Sequence, residues 1–159
     1  NNFATLGYDT LITPNFVAPF CQMAAVLAVM IKTRDKNAKS LCAPAAISAL
    51  FGVSEPCIYA INLPRKIPFV CASVGAAIAG AVAGLLQIRI YSGGTGIFAL
   101  ANFIDTETGS MTGVFQMAGC ILLGIAISFL LTLILYRDKD KQLTANDKAA
   151  LAADAEANG

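Results

Sequence analysis

The chain has 159 residues, of which 57% are hydrophobic and only 13% are charged, and its formal net charge is +1. A soluble globular domain carries about 25% charged residues. The small charged fraction argues against a soluble domain, and no basic cluster in the sequence is large enough to suggest nucleic-acid binding. The composition therefore indicates an integral membrane protein.

Catalytic and metal-binding residue types are scarce in this sequence. Without histidine, a zinc site of the usual type or a histidine-based catalytic triad cannot be built from this chain alone. The cysteines are scattered through apolar segments, without the spacing of a metal site or a disulfide framework. They are Cys21, Cys42, Cys57, Cys71 and Cys120. We therefore predict no metal, no cofactor and no catalytic residue in this chain.

Three segments of the chain lack charges over a length that can cross a bilayer, which takes about 20 helical residues. They are residues 10–31, 67–88 and 112–136. Regular helix in the first segment is expected from about Phe20, because Pro14 and Pro19 lie near its start. Residues 1–14 lack the basic and apolar regions of a signal peptide. The chain starts at Asn1, and we expect it to be a portion of a longer membrane protein.

Small residues recur every four positions in the second and third of these segments. The two series are Ala72, Ala76, Gly80 and Gly84, and Cys120, Gly124, Ser128 and Thr132. Small side chains on one helix face let membrane helices approach closely. Each series therefore predicts a helix–helix contact.

Residues 40–64 are also apolar, but Gly52, Glu55 and Pro56 interrupt them near the middle. Proline removes a backbone donor and disfavours helical geometry in the residue before it. Broken backbone at membrane depth is tolerated only where it is buried in protein or lines a cavity. We therefore predict a re-entrant helical hairpin here, rather than a further crossing.

The basic residues suggest an orientation in the membrane. They concentrate at residues 32–39, at Arg65 and Lys66, and in a polar tail over residues 137–159. Cytoplasmic segments carry an excess of lysine and arginine. All three groups are cytoplasmic only if the hairpin enters and leaves on one side. The Gly-rich residues 91–104 then form an external or partly re-entrant connection.

Glu55 is the ionisable residue placed deepest in an apolar segment. Such residues are costly in a bilayer and usually face a cavity or a partner. Transporters place substrate sites at broken helices, and a carboxylate accepts strong hydrogen bonds from sugar hydroxyls. Alternatively, Glu55 pairs with Lys39, Arg65 or Lys66 and only holds the hairpin together.

Residues 52–64 read GVSEPCIYAINLP. They resemble GITEPAIYGVNLP, a signature of the membrane (IIC) subunits of bacterial phosphotransferase-system sugar transporters. The likeness is to the glucose superfamily, in particular its β-glucoside, sucrose and trehalose branch. Residues 20–29 and 38–52 resemble the family's FAQGGAxLAV and KSL…SALFG segments. The resemblance covers roughly residues 7–136 and departs at Met23 and Ala60, which add bulk where the family has glycine.

The resemblance implies an architecture and an activity. As the family resemblance implies, residues 1–136 would be the C-terminal, substrate-binding half of an all-α membrane fold of roughly ten helices. The implied activity is sugar uptake coupled to phosphorylation, with Glu55 binding sugar hydroxyls. The phosphoryl-donating cysteine belongs to a IIB domain, and the family's sugar-site histidine would lie upstream of Asn1.

The implied partners are a sugar, the N-terminal half of the IIC domain, the IIB and IIA components, a second copy in a homodimer, and the lipid bilayer. The implied location is the bacterial cytoplasmic membrane, with the C-terminus in the cytoplasm. No nucleic acid is expected. A rival hypothesis is an ion- or proton-coupled transporter in which Glu55 titrates, since a membrane-embedded carboxyl can have a raised pKa.

Further residues are weaker candidates for the site. Asn62, Gln22 and Tyr59 are predicted to contact the sugar. Their structural alternatives are a cap on the second arm for Asn62, an interhelical hydrogen bond for Gln22 and ordinary packing for Tyr59. Arg65 and Lys66 are predicted to face the phosphoryl-donor protein, or only to anchor the chain at the cytoplasmic surface.

Overall fold

The fold is taken from a computed structural model that describes residues 9, 12–34, 36–104, 109 and 111–137. The predicted polar tail therefore lies outside the described residues, except for Arg137. Four α-helices dominate: α1 (Ala18–Lys32), α2 (Lys36–Leu50), α3 (Ile67–Leu85) and α4 (Thr112–Leu135). Shorter elements are 3-10 helices at Thr13–Val17 and Ile97–Phe103, and a π-helix at Cys57–Asn62 that continues into a helical turn at Leu63–Arg65.

Three helices of the described chain are long and apolar enough to cross a membrane: Thr13–Lys32, Ile67–Leu85 and Thr112–Leu135. This confirms helices of crossing length in the three predicted segments. The α-helix of the first begins at Ala18, slightly before the predicted start, because Pro19 lies in its first turn, where a missing N–H leaves no bond unmade. Helix α3 ends before the predicted Ile88, and Gln87 beyond it adopts a positive φ of 48°.

Hydrogen bonds at both ends of the bundle establish how the three helices run. Asp9 and Ile90 exchange backbone hydrogen bonds of 2.9 and 3.0 Å, so the start of α1 lies beside the end of α3. At the opposite end, Lys32 Nζ donates to the carbonyls of Leu133 and Tyr136, the latter at 2.7 Å. Helices α1 and α4 are therefore parallel, and α3 is antiparallel to both. These directions place Lys32, Lys66 and Arg137 at one end of the bundle, as the single-sided arrangement of the basic residues requires.

Helix α4 packs through its small residues. The predicted series Cys120, Gly124, Ser128 and Thr132 is buried. A methyl group on Gly124 would lie 2.7 Å from Cys21 Sγ and 2.9 Å from Val17 Cγ1. The α4 backbone therefore lies directly against the helix α1 side of the bundle at this point, as the series predicts.

The predicted series on α3 is wrong in part. Ala72 and Gly80 are buried, but Ala76 is half-buried and Gly84 is exposed. The contact with α4 instead uses Gly75, where an added methyl group would collide with Ser128. The α4 series has the same spacing and is buried throughout, so the neighbours of each helix, and not the spacing, decide which of its small residues are buried.

Residues 36–65 form two helical arms joined by a break at residues 51–54. The break is centred on Gly52, whose φ of +95° turns the chain. Glu55 and Pro56 already belong to the second arm, whereas the sequence suggested that Pro56 itself marks the break. Proline is tolerated there because backbone N–H groups in the first turn of a helix have no acceptor within the helix, so the missing N–H of proline costs no hydrogen bond. The helix–break–helix pattern agrees with the sequence, and its depth in the membrane remains a prediction.

The two arms pack against each other and against α1. Cys57 Sγ of the second arm contacts the carbonyl of Ala45 at 3.1 Å. Cys57, Ile61 and Val26 belong to one apolar cluster that joins both arms to α1. The second arm widens into a π-helix just before Pro64, which lacks the N–H that a continuous α-helix needs at that position.

Candidate functional site

The second arm has two faces that differ in exposure. Cys57, Ile61 and Asn62 are buried against the rest of the chain. Glu55 and Tyr59 are exposed, with Tyr59 67% exposed. The predicted sugar contacts are therefore divided, since Glu55 and Tyr59 share the open face while Asn62 points into the core.

Glu55 lies in the first turn of the second arm. The amide of Ile58 donates to the carbonyl of Ser54 at 3.0 Å and closes this turn. The first N–H groups of a helix lack partners within the helix, and they favour a negative charge nearby. The broken backbone thus provides a favourable place for the Glu55 carboxylate, while the side chain stays exposed and can accept further hydrogen bonds.

Gln22 and Asn62 meet inside the molecule. Asn62 Nδ2 donates to Gln22 Oε1 at 2.7 Å and to the Gln22 carbonyl at 3.2 Å. Asn62 is fully buried, and Gln22 is 7% exposed. This contact is the interhelical hydrogen bond that formed the structural alternative for Gln22. It attaches the buried face of the second arm to α1, on the side of the arm opposite Glu55.

The bend at residues 51–54 contacts the connection between α3 and α4, which the sequence did not predict. A methyl group on Gly52 would lie 2.7 Å from the Gly96 amide nitrogen. Next to this contact, the rings of Phe51 and Phe98 stack with centroids 5.8 Å apart and an angle of 28° between their planes. The cluster of glycines at residues 93–96 was the only sequence signal for such a close backbone approach.

The end of the second arm carries the two predicted basic residues. Arg65 Nη1 donates to the carbonyl of Ile61 at 3.2 Å, which satisfies a carbonyl in the last turn of its own arm. Lys66 is exposed and has a positive φ of 59° at the junction with α3. Arg65 thus helps to end the arm, and the Lys66 ammonium group faces outwards beside it.

An open cavity of about 180 Å³ lies near the far end of α3 and the start of α4. Its polar lining includes Gln87, Arg89, Tyr91 and Gln116. None of the residues predicted to bind sugar lines this cavity. The open face that carries Glu55 is therefore a separate feature of the described chain.

Three apolar helices long enough to cross a membrane, with a carboxylate beside a helix break, are typical of a multi-pass membrane protein. A family model described as Phosphotransferase system, EIIC, matches residues 3–76. The match includes α1, both arms and Glu55.

Curated relatives extend the likeness over most of the chain. The PTS system beta-glucoside-specific EIIBCA component of Halalkalibacterium halodurans is 40% identical over 71% of this chain and 18% of its own length. The component with the same description in Dickeya chrysanthemi is 33% identical over 99% of this chain and 25% of its own. The PTS system trehalose-specific EIIBC component of Escherichia coli is 36% identical over 74% of this chain and 24% of its own.

These similarities show that the chain belongs to the phosphotransferase-system EIIC family. The chain spans about a fifth to a quarter of the length of these curated relatives. No solved structure matches it.

Proposed function

We propose that this chain supplies part of the sugar-binding and translocation pathway of a phosphotransferase-system permease, in which uptake is coupled to phosphorylation of the sugar. The observation that carries the proposal is the EIIC family match across residues 3–76, which contain the helix break and Glu55. The relatives' descriptions name β-glucosides, trehalose and sucrose. We accordingly infer a glucoside or a glucose-containing disaccharide as the class of substrate.

In this proposal Glu55 accepts hydrogen bonds from sugar hydroxyls, and Tyr59 offers an aromatic face to the pyranose ring. The exposure of both side chains on one face of the second arm supports these roles. A carboxylate acceptor forms stronger hydrogen bonds than a neutral one. Gln22 and Asn62 then have a supporting role, because their mutual hydrogen bond attaches the arm that carries Glu55 to α1.

The remainder of the subunit is also inferred. The chain spans only part of its relatives, so we propose that an N-terminal portion of the EIIC domain encloses the sugar together with the open face of the second arm. Several relatives are described as EIIBC or EIIBCA components. We infer that IIB and IIA components serve this chain as well, that the phosphoryl-donating cysteine lies on IIB, and that the whole protein is a homodimer.

The basic end of the bundle is proposed to be cytoplasmic. Lys32, Lys66 and Arg137 lie on segments that meet where α1 and α4 end and α3 begins. An excess of lysine and arginine favours the cytoplasmic side. This orientation puts the C-terminus in the cytoplasm of a bacterial cell and lets Arg65 and Lys66 face the phosphoryl donor.

The test is Glu55→Gln in the full-length protein, with uptake and phosphorylation of a β-glucoside, trehalose and sucrose measured in cells that contain the phosphoryl-relay proteins. Losing hydrogen bonds to a charged group should lower uptake efficiency about 10- to 100-fold. Ser73→Ala is the matched control, since Ser73 is exposed and donates to the Phe69 carbonyl of its own helix. Normal uptake by Glu55→Gln at equal expression would remove Glu55 from the site.

Energy coupling separates this proposal from the ion-coupled rival, which the comparisons do not support. Uptake should require the phosphoryl-relay proteins and should continue when a protonophore collapses the proton gradient. Uptake that stops with the protonophore and ignores the relay proteins would favour the rival.

A further inference from the structure

The bend that precedes Glu55 is contacted by the connection between α3 and α4. The first arm starts, and the second arm ends, near the end of the bundle where Lys32 meets the last turn of α4. The bend between the two arms therefore points away from that end. The connection over residues 91–104 leaves α3 at the other end of the bundle. The two segments meet at Gly52 and Gly96.

This meeting is a direct contact between two backbones. An added methyl group on Gly96 would collide with the carbonyl group of Phe51 and would lie 2.8 Å from the amide nitrogen of Gly52. Backbone atoms cannot move aside as the end of a flexible side chain can. Gly96 also has a φ of +83°, a conformation that residues with a Cβ rarely adopt.

A second contact beside the glycines strengthens the first. Phe51 and Phe98 stack 5.8 Å apart, although the two rings are 51% and 78% exposed. Stacked aromatic rings attract each other beyond the area they bury. Two hydrogen bonds within the connection also hold its shape. Asn102 Nδ2 donates to the Gly93 carbonyl at 3.2 Å, and the backbone amide of Tyr91 donates to the Asn102 carbonyl at 2.9 Å.

We propose that residues 91–104 position the bend of the helix pair, with Gly96 as the positioning residue and the Phe51–Phe98 stack as its support. Glu55 follows Gly52 by three residues and lies in the first turn of the second arm, directly after the bend. A displacement of Gly52 therefore changes the place and direction of the Glu55 carboxylate. This inference rests on the proposed role of Glu55 and adds a second segment of the chain to the sugar site.

The decisive variant is Gly96→Ala in the full-length protein, and its matched control is Gly93→Ala. Gly93 is exposed, lies in the same connection, and has open space where a methyl group would be added. Because misplacing a reacting or binding group by about 1 Å can cost about a hundredfold, we expect Gly96→Ala to raise the KM for sugar at least about tenfold. Gly93→Ala should keep the wild-type KM. Equal KM values for the two variants at equal membrane expression would overturn the proposal.

A second pair of variants avoids backbone strain, in case Gly96→Ala protein is not inserted. Phe98→Ala removes the ring stack, and Phe115→Ala removes a phenylalanine of similar exposure, 74%, from α4. Loss of one aromatic pair should raise the KM about threefold for Phe98→Ala, while Phe115→Ala leaves it unchanged. In both series the rise should appear in KM rather than in the maximal uptake rate. A fall in the maximal rate alone would count against positioning.

Cross-linking tests the contact without reference to transport. In membranes, a short thiol-specific cross-linker should join Phe51→Cys to Phe98→Cys, with the linked peptides identified by mass spectrometry. The pair Phe51→Cys and Phe115→Cys is the control and should stay unlinked, and Gly96→Ala should reduce the first link. Absence of the first link would overturn the inference and leave the role of Glu55 standing. A normal KM in Glu55→Gln would overturn that role, while the contact itself could still be demonstrated by the link.

Discussion

The α3–α4 pair and the two arms of residues 36–65 are held in place by different means. Helices α3 and α4 are regular and meet where small residues leave room for the neighbouring backbone, as at Gly75 and Gly124. The two arms contain a break, a π-helix, the buried Asn62 amide group and a backbone contact at Gly52.

This contrast separates packing from function within one chain. Membrane helices associate chiefly by van der Waals packing of small residues, which demands no irregular backbone. Breaks and π-turns leave polar backbone groups to be satisfied, and they cluster at functional positions. The break at Gly52, the π-helix at Cys57–Asn62 and the positive φ of Lys66 all lie in or next to the arms that carry Glu55, in keeping with its proposed role. Three predictions test this contrast, in addition to the variants of Glu55 and Gly96.

The largest expected effect on stability is in the regular part. Gly124→Val should lower the free energy of unfolding by about 3 kcal/mol, because its side chain would overlap Cys21 and Val17. Thermal unfolding of the purified full-length protein in detergent measures the change. Gly119→Val is the matched control on the same helix, since Gly119 is exposed and has open space beside it. Equal destabilisation by the two variants would contradict the close contact of α4 with α1.

A smaller effect is expected from the buried amide pair. Asn62→Ala leaves Gln22 Oε1 without its 2.7 Å donor and should cost about 1–2 kcal/mol of unfolding free energy. Gln22→Leu should behave similarly. The double variant Asn62→Ala/Gln22→Leu should cost less than the sum of the two single changes, because no unpaired side-chain amide then remains. Simple additivity in this double-mutant cycle would mean that the pair does not couple the arm to α1.

The smallest effect on the free energy of unfolding is expected from the ammonium group of Lys32, which lies at the C-terminal end of α4. Lys32→Met removes the ammonium group that bonds the last carbonyls of α4 and should cost about 0.3–1 kcal/mol. Lys39→Met removes an exposed charge from α2 and should leave the unfolding temperature unchanged. If both variants melt alike, the Lys32 contact contributes nothing to holding α1 and α4 together.

Much of the fold was readable in the sequence because hydrophobicity and charge act locally along the chain. Runs without charge predicted the three long apolar helices, and Gly52 with Pro56 predicted an interruption between them. The small series on α4 predicted its buried face. The small series on α3 failed in part, because the elements packed around α3 decide which of its small residues are buried.

The family and the place of Glu55 beside a helix break were also accessible from residues 52–64, since the signature is contiguous. The pairing of Gln22 with Asn62 and of Gly52 with Gly96 was not, because each joins segments about 40 residues apart in the chain. Local patterns say which residues can be buried or can turn the chain. Which distant segment each one meets depends on how the helices pack, and only the tertiary structure decides that.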